Sequence, residues 1–114
     1  MNKILLHTCL PLGFIALCLA AIPPARADAV NDWNVRANAI VVAAKLPPPP
    51  AYRAMAMVQT AVYEAVNAVT GRYPPGQVKL HTAAGASLEA AVAAANRVVL
   101  SALIPAQQAA IDND

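Results

Sequence analysis

The sequence predicts an all-α fold: an alanine-rich helical segment of a larger bundle, with three helices and the start of a fourth. Apolar residues recur at helical spacing in three separate stretches. Prolines and glycines fall between those stretches or at their ends. The chain is 59% apolar but only 4% aromatic, and alanine supplies much of the difference.

The first expected helix runs from Asp28 to Lys45. Val30, Trp33, Ala37, Ile40, Val41 and Ala44 share one face of it. Asp32 and Arg36 stand four residues apart on the other side, a spacing that supports a helix by roughly 0.2–0.5 kcal/mol. Trp33, the single tryptophan, is expected in the core. Pro47 to Pro50 end this helix. A residue before proline is pushed towards extended geometry, so the run reads as a short stiff spacer.

The central helix, between Pro47 and Gly71, organises the rest. Proline is tolerated in its first turn, where a missing N–H costs nothing. Gly71 follows its last turn, where a left-handed residue is wanted. Ala51, Ala54, Met55, Val58, Ala61, Val62, Ala65, Val66 and Val69 form one apolar face at period 3.6. Arg53, Thr60, Glu64 and Asn67 fall on the opposite side, interrupted by Met57.

A loop over 70–86 carries turn signals at Gly71, Pro74, Pro75, Gly76 and Gly85, with a brief extended piece expected at Val78 to Leu80. It is long for a connection in a compact small domain. Ser87 is the expected N-cap of the third helix, with Glu89 in the first turn, where negative charge is favoured. Leu88, Ala91, Val92, Ala95, Val98, Val99, Ala102 and Leu103 form its expected apolar face, opposite Asn96, Arg97 and Ser101. Pro105 closes it and opens a fourth helix over Ala106 to Ile111. That helix reads as interrupted where the sequence stops.

Residues 1–27 read as a secretory leader. Lys3 supplies the positive start, Ile4 to Ile22 the apolar run, and Ala25-Arg26-Ala27 the cleavage pattern. The alternative is an uncleaved membrane anchor, for which the run is about long enough. Beyond residue 27, Arg36, Lys45, Arg53, Arg72, Lys79 and Arg97 balance Asp28, Asp32, Glu64, Glu89, Asp112 and Asp114. The basic pI of 8.7 therefore belongs to the leader, and no nucleic-acid partner is implied. Cys9 and Cys18 also lie in the leader. A mature chain would then hold itself together by packing alone, without disulfides or thiolate sites.

That packing is expected to be marginal. A chain this short buries only roughly 60–65% of its surface on folding. Alanine adds little to that burial, although it lets helices approach closely. The segment therefore reads as one shaped to pack on something else.

Chemistry-bearing residues are sparse. His81 is the one histidine beyond the leader, and Ser87 and Ser101 are the serines. No metal-binding histidine pair, Ser-His-Asp set or glycine-rich phosphate loop can be drawn from the sequence. Glu64 and Asn67, one turn apart, are expected to pair across a helix interface or to cap a loop. No catalytic, cofactor-binding or metal-binding residue is assigned.

The order of pieces resembles the start of secreted bacterial proteins of the vanadium-dependent haloperoxidase and PAP2 phosphatase superfamily. The resemblance rests on Asp28 to Trp33 and the proline step. It continues through Arg53 to Met57, Glu64 to Ala68, Tyr73-Pro74 and Pro105 to Gln107, and spans essentially all of residues 28–112. It implies an all-α bundle of many helices with a vanadate or phosphate pocket. That pocket is built from an Arg-Pro step, a Ser-Gly-His segment and later Arg and His residues. None of those segments occurs in this sequence, so no catalytic residue carries over. The expectation is a secreted or periplasmic N-terminal scaffold, truncated before the active site and without activity or cofactor of its own. Its partner would be the remainder of the parent domain. The alternatives are a complete small periplasmic helical module that binds a helical protein, and a membrane-anchored form if the leader is uncleaved.

Overall fold

A computed structural model of the chain describes residues 28–76, 79–82 and 85–113. The leader and Val78 lie outside the described residues. The fold is all-α: α1 spans Asp28–Ala43, α2 Pro48–Thr70, α3 Leu88–Leu103 and α4 Gln108–Asp112, with a 3-10 turn at Pro105–Gln107 before α4. No strand occurs among the described residues.

α1 ends two residues earlier than expected. Its last turn closes through Ala44 N–H to the Ile40 carbonyl and Lys45 N–H to the Val42 carbonyl, both at 3.0 Å. Lys45 then takes the left-handed conformation at φ 52°, the role glycine usually fills after a helix.

The four prolines are not a spacer. Pro47 alone is extended, at φ −57° and ψ 154°, while Pro48, Pro49 and Pro50 form the first turn of α2. The first N–H groups of a helix have no intrahelical acceptor, so prolines there lose no bond. Ala51, the first residue with an N–H to give, donates it to the Pro47 carbonyl at 3.0 Å. At the other end Gly71 adopts φ 60° and ψ 23°, and its N–H reaches the Asn67 carbonyl at 2.7 Å.

One core joins the helices. Trp33, Ala37, Ile40 and Val41 of α1 meet Ala54, Val58 and Val62 of α2, with Val92 and Leu100 of α3. Ile104 and Ile111 close it at the C-terminal end. The packing between α2 and α3 is the most extensive. The α1 and α2 faces follow the periodicity. Trp33 is buried, as expected, and the Arg36 guanidinium lies 4.7 Å from its ring centroid, within cation–π range. Arg36 also donates to the carbonyls of Ala110 and Asn113, tying α1 to the C-terminal end.

α3 is turned from its expected orientation by about one residue, roughly 100°. Val92, Asn96 and Leu100 form the buried line, whereas Val98 is 69% and Leu103 38% exposed. Ala102, also assigned to the inner face, is exposed. Leu100, which that face omitted, is fully buried. The helix carries apolar residues on almost every side, so period alone cannot select the inner one. A polar residue in the middle of the true line, Asn96, hid it.

The caps at α3 follow the sequence. Ala90 N–H donates to Ser87 Oγ at 3.3 Å, and that hydroxyl donates to Glu89 Oε2 at 2.6 Å. The fourth helix is shorter than expected, because the 3-10 turn takes Pro105–Gln107.

Candidate functional site

Two features stand apart from the core: a polar latch at the end of α2 and an open groove between α2 and α3.

The latch is built on Asn67. Its side chain accepts from Tyr73 N–H at 2.8 Å and donates to the carbonyls of Tyr73 and Pro74 at 3.1 and 3.3 Å. Gly71 makes the turn that brings this loop back. The Tyr63 and Tyr73 rings stack above it, with centroids 6.2 Å apart. Asn67 is therefore 6% exposed, not on the solvent side as expected. It is covered by the loop rather than by another helix. Of the two roles expected for Glu64 and Asn67, Asn67 takes the loop-capping one. The Glu64 carboxylate lies so close to Gly76 that a Cβ there would overlap it, which a residue without a side chain allows.

The groove is an open cavity of about 720 Å³. Ala56, Ala61 and Ala65 of α2 line it, with Ala91, Ala95 and Val99 of α3. Met57, 41% exposed, and Val98, 69% exposed, stand on its walls. Arg53, Thr60 and Glu64 line it along α2, and the exposed loop residues Leu80, His81 and Thr82 border it. The Thr60 hydroxyl donates to the Ala56 carbonyl at 2.8 Å within its own helix, so it makes no demand on an occupant.

Such a surface can hold an apolar side of a helix. It offers little for acyl or phosphoryl chemistry, which needs converging donors aimed at a developing charge. Ser87 is taken up in capping α3 and Ser101 lies half-buried elsewhere on that helix. His81 is exposed, as expected, at the groove border with Glu64 and Lys79 nearby. Among the described residues no three His, Cys, Asp or Glu side chains are grouped to hold a metal ion. No helix among them is long and apolar enough to cross a membrane.

Sequence reasoning missed the groove because it assigned Val98 to the inner face of α3. The available signal was Met57, an apolar residue on an otherwise polar side of α2. Compared with known protein families, with curated proteins and with solved structures, the chain gives no match.

Proposed function

We propose that residues 28–114 are a helical scaffold whose work is docking, not chemistry: the N-terminal part of a secreted protein of the vanadium haloperoxidase and PAP2 phosphatase type. The observation that carries the docking reading is the groove between α2 and α3, which the described residues leave open. A lone domain has no reason to line an open face with Met57, Val98 and a row of alanines, whereas a bundle element awaiting another helix does. The parent family is supported by the order of motifs from Asp28 to Gln107. Secretion or a periplasmic location rests on the leader over residues 1–27. In the parent, vanadate or phosphate would be bound by segments this chain does not contain, and no residue here is given a part in that pocket.

The coding sequence tests the family. If the reading holds, DNA beyond codon 114 continues, in frame or after one frameshift, into Arg-Pro and Ser-Gly-His segments. Unrelated DNA would sink the family assignment. Halide oxidation or phosphate-ester hydrolysis by the purified chain would sink the scaffold reading.

A second reading keeps the same groove in a complete periplasmic module that binds a helical protein. The closed core under Ile104 and Ile111 favours it, since a self-sufficient module would seal its end in this way. A cooperative thermal transition of the purified chain supports that module. A weak, gradual one supports the incomplete scaffold.

A further inference from the structure

The outer side of α2 has a self-complementary order. Arg53, Met57, Thr60 and Glu64 follow one another at steps of four, three and four, the spacing of a helix–helix seam. Arg53 and Glu64 are separated by about 16 Å along the helix and lie on nearly the same side. One is a cation and one an anion, and both line the groove.

We propose that two copies of this chain pair through this groove, α2 against α2, antiparallel about a two-fold axis between Val58 and Gln59. A two-fold interface requires that if one residue meets another, the second meets the first. That register satisfies the requirement at every level. Arg53 of each copy faces Glu64 of the other, Met57 faces Thr60, and Ala56 faces Ala61. The charges pair at both ends. The apolar Met57 sits between, against a threonine whose hydroxyl is already bonded. The alanines at the flanks carry only a methyl group and let the helices approach closely. A parallel pairing would instead set Arg53 against Arg53 and Glu64 against Glu64. Val98, exposed on α3 beside the same groove, would be covered in the antiparallel pair. The resulting core of α2, α3 and their copies is a four-helix arrangement.

This inference rests on the proposed function only in taking the groove as a seat for a helix, and names a second copy as its occupant. The two fail separately. The scaffold reading fails on enzymatic activity, and the pairing on molecular mass.

The experiment is sedimentation velocity on the chain expressed from its whole coding sequence and purified in the form that accumulates. Circular dichroism records helicity in parallel. The expected result is a mass of two chains at micromolar concentration. R53E alone and E64R alone each place two like-charge contacts in the dimer and weaken association about tenfold or more. Mixing the two variants restores it, because the R53E chain and the E64R chain are complementary to one another. M57K gives a monomer of unchanged helicity, since Met57 is not part of the core. A wild-type chain that stays monomeric across the concentration range overturns the proposal, as does a dimer whose mass all three variants leave intact.

Should a substitution cost helicity, crosslinking decides. An A56C chain and an A61C chain, mixed under oxidation, form a disulfide between position 56 of one and position 61 of the other. Failure of that bond to form overturns the pairing. A monomer that instead captures an unrelated apolar helix also overturns it, by giving the groove a different occupant.

Discussion

The two sides of α2 use similar residues in opposite ways. Ala54, Val58 and Val62 face α1 and α3 and are buried. On the outer side Ala56 and Met57 are exposed, set among Arg53, Thr60 and Glu64. Polar residues mark the outer side, but its Ala56 and Met57 differ from the inner apolar residues in cover. α1 carries Trp33, Ile40 and Val41 to the inner side, whereas on the outer one the described loop residues come near at Gly76 and at Leu80 to Thr82. An apolar helix face thus reports that a partner is wanted, not that it is present.

Leu100→Ala probes the inner side where it is deepest. Leu100 is fully buried and closes the core with Ile104 and Ile111. Truncating it removes apolar burial and leaves a cavity, at a cost of about 2–5 kcal/mol. In so small a core that is a large part of the whole stability. Urea denaturation followed by circular dichroism should show the midpoint fall steeply or the transition disappear. A loss under 1 kcal/mol, on the order expected for surface changes, would mean that the inner side is no better packed than the outer.

Asn67→Ala tests a place where polar groups, not apolar ones, provide the cover. The substitution leaves the Tyr73 N–H without its acceptor and frees the 73–74 carbonyls, a cost of about 1–3 kcal/mol. The loop should also loosen. Faster amide exchange at Tyr73, with the core amides of α2 unchanged, is the outcome that fits a local latch. An equal loss of protection throughout would make Asn67 part of the core instead.

Asn96→Leu separates the cost of a polar group from the gain of packing. Asn96 is 1% exposed, its Nδ2 donates to the Val92 carbonyl at 2.9 Å, and its Oδ1 has no partner. A buried unsatisfied oxygen is a standing cost, so an apolar side chain of similar size should be neutral or stabilising by about 1–2 kcal/mol. The denaturation midpoint checks the sign. Clear destabilisation would show that Oδ1 is satisfied in solution, by water for example.

How much of this was legible in the sequence differs between helices for a physical reason. α1 and α2 have polar residues on one side, so period selected the buried face at Trp33, Ala37, Ile40 and Val58. Caps were legible where one residue type fits, as at Gly71 and Ser87. α3 was misread because Val98, Val99 and Leu100 are consecutive, and three neighbours cannot all point inward. Which does so is decided by α1 and α2, not by α3. The latch was half-legible: Asn67 was a candidate loop cap, but its burial depends on Tyr73 and Pro74 returning to it. The groove is a property of two helices together, and no single period contains it.

Val98→Ser, measured by denaturation at high dilution where copies are apart, carries the smallest effect and isolates the outer side. Val98 is 69% exposed, so the single chain should lose no more than about 0.5 kcal/mol. Valine and serine have similar helix propensities, which leaves little for the backbone to register. The contrast with Leu100→Ala, two residues further along the same helix, is then a direct measure of cover. At higher concentration the two predictions part again. If a second copy seats on the groove, Val98→Ser lowers the melting temperature of concentrated samples but not of dilute ones. A penalty as large as that of Leu100, already present in dilute samples, would place Val98 in the core and turn α3 back towards the orientation its sequence first suggests.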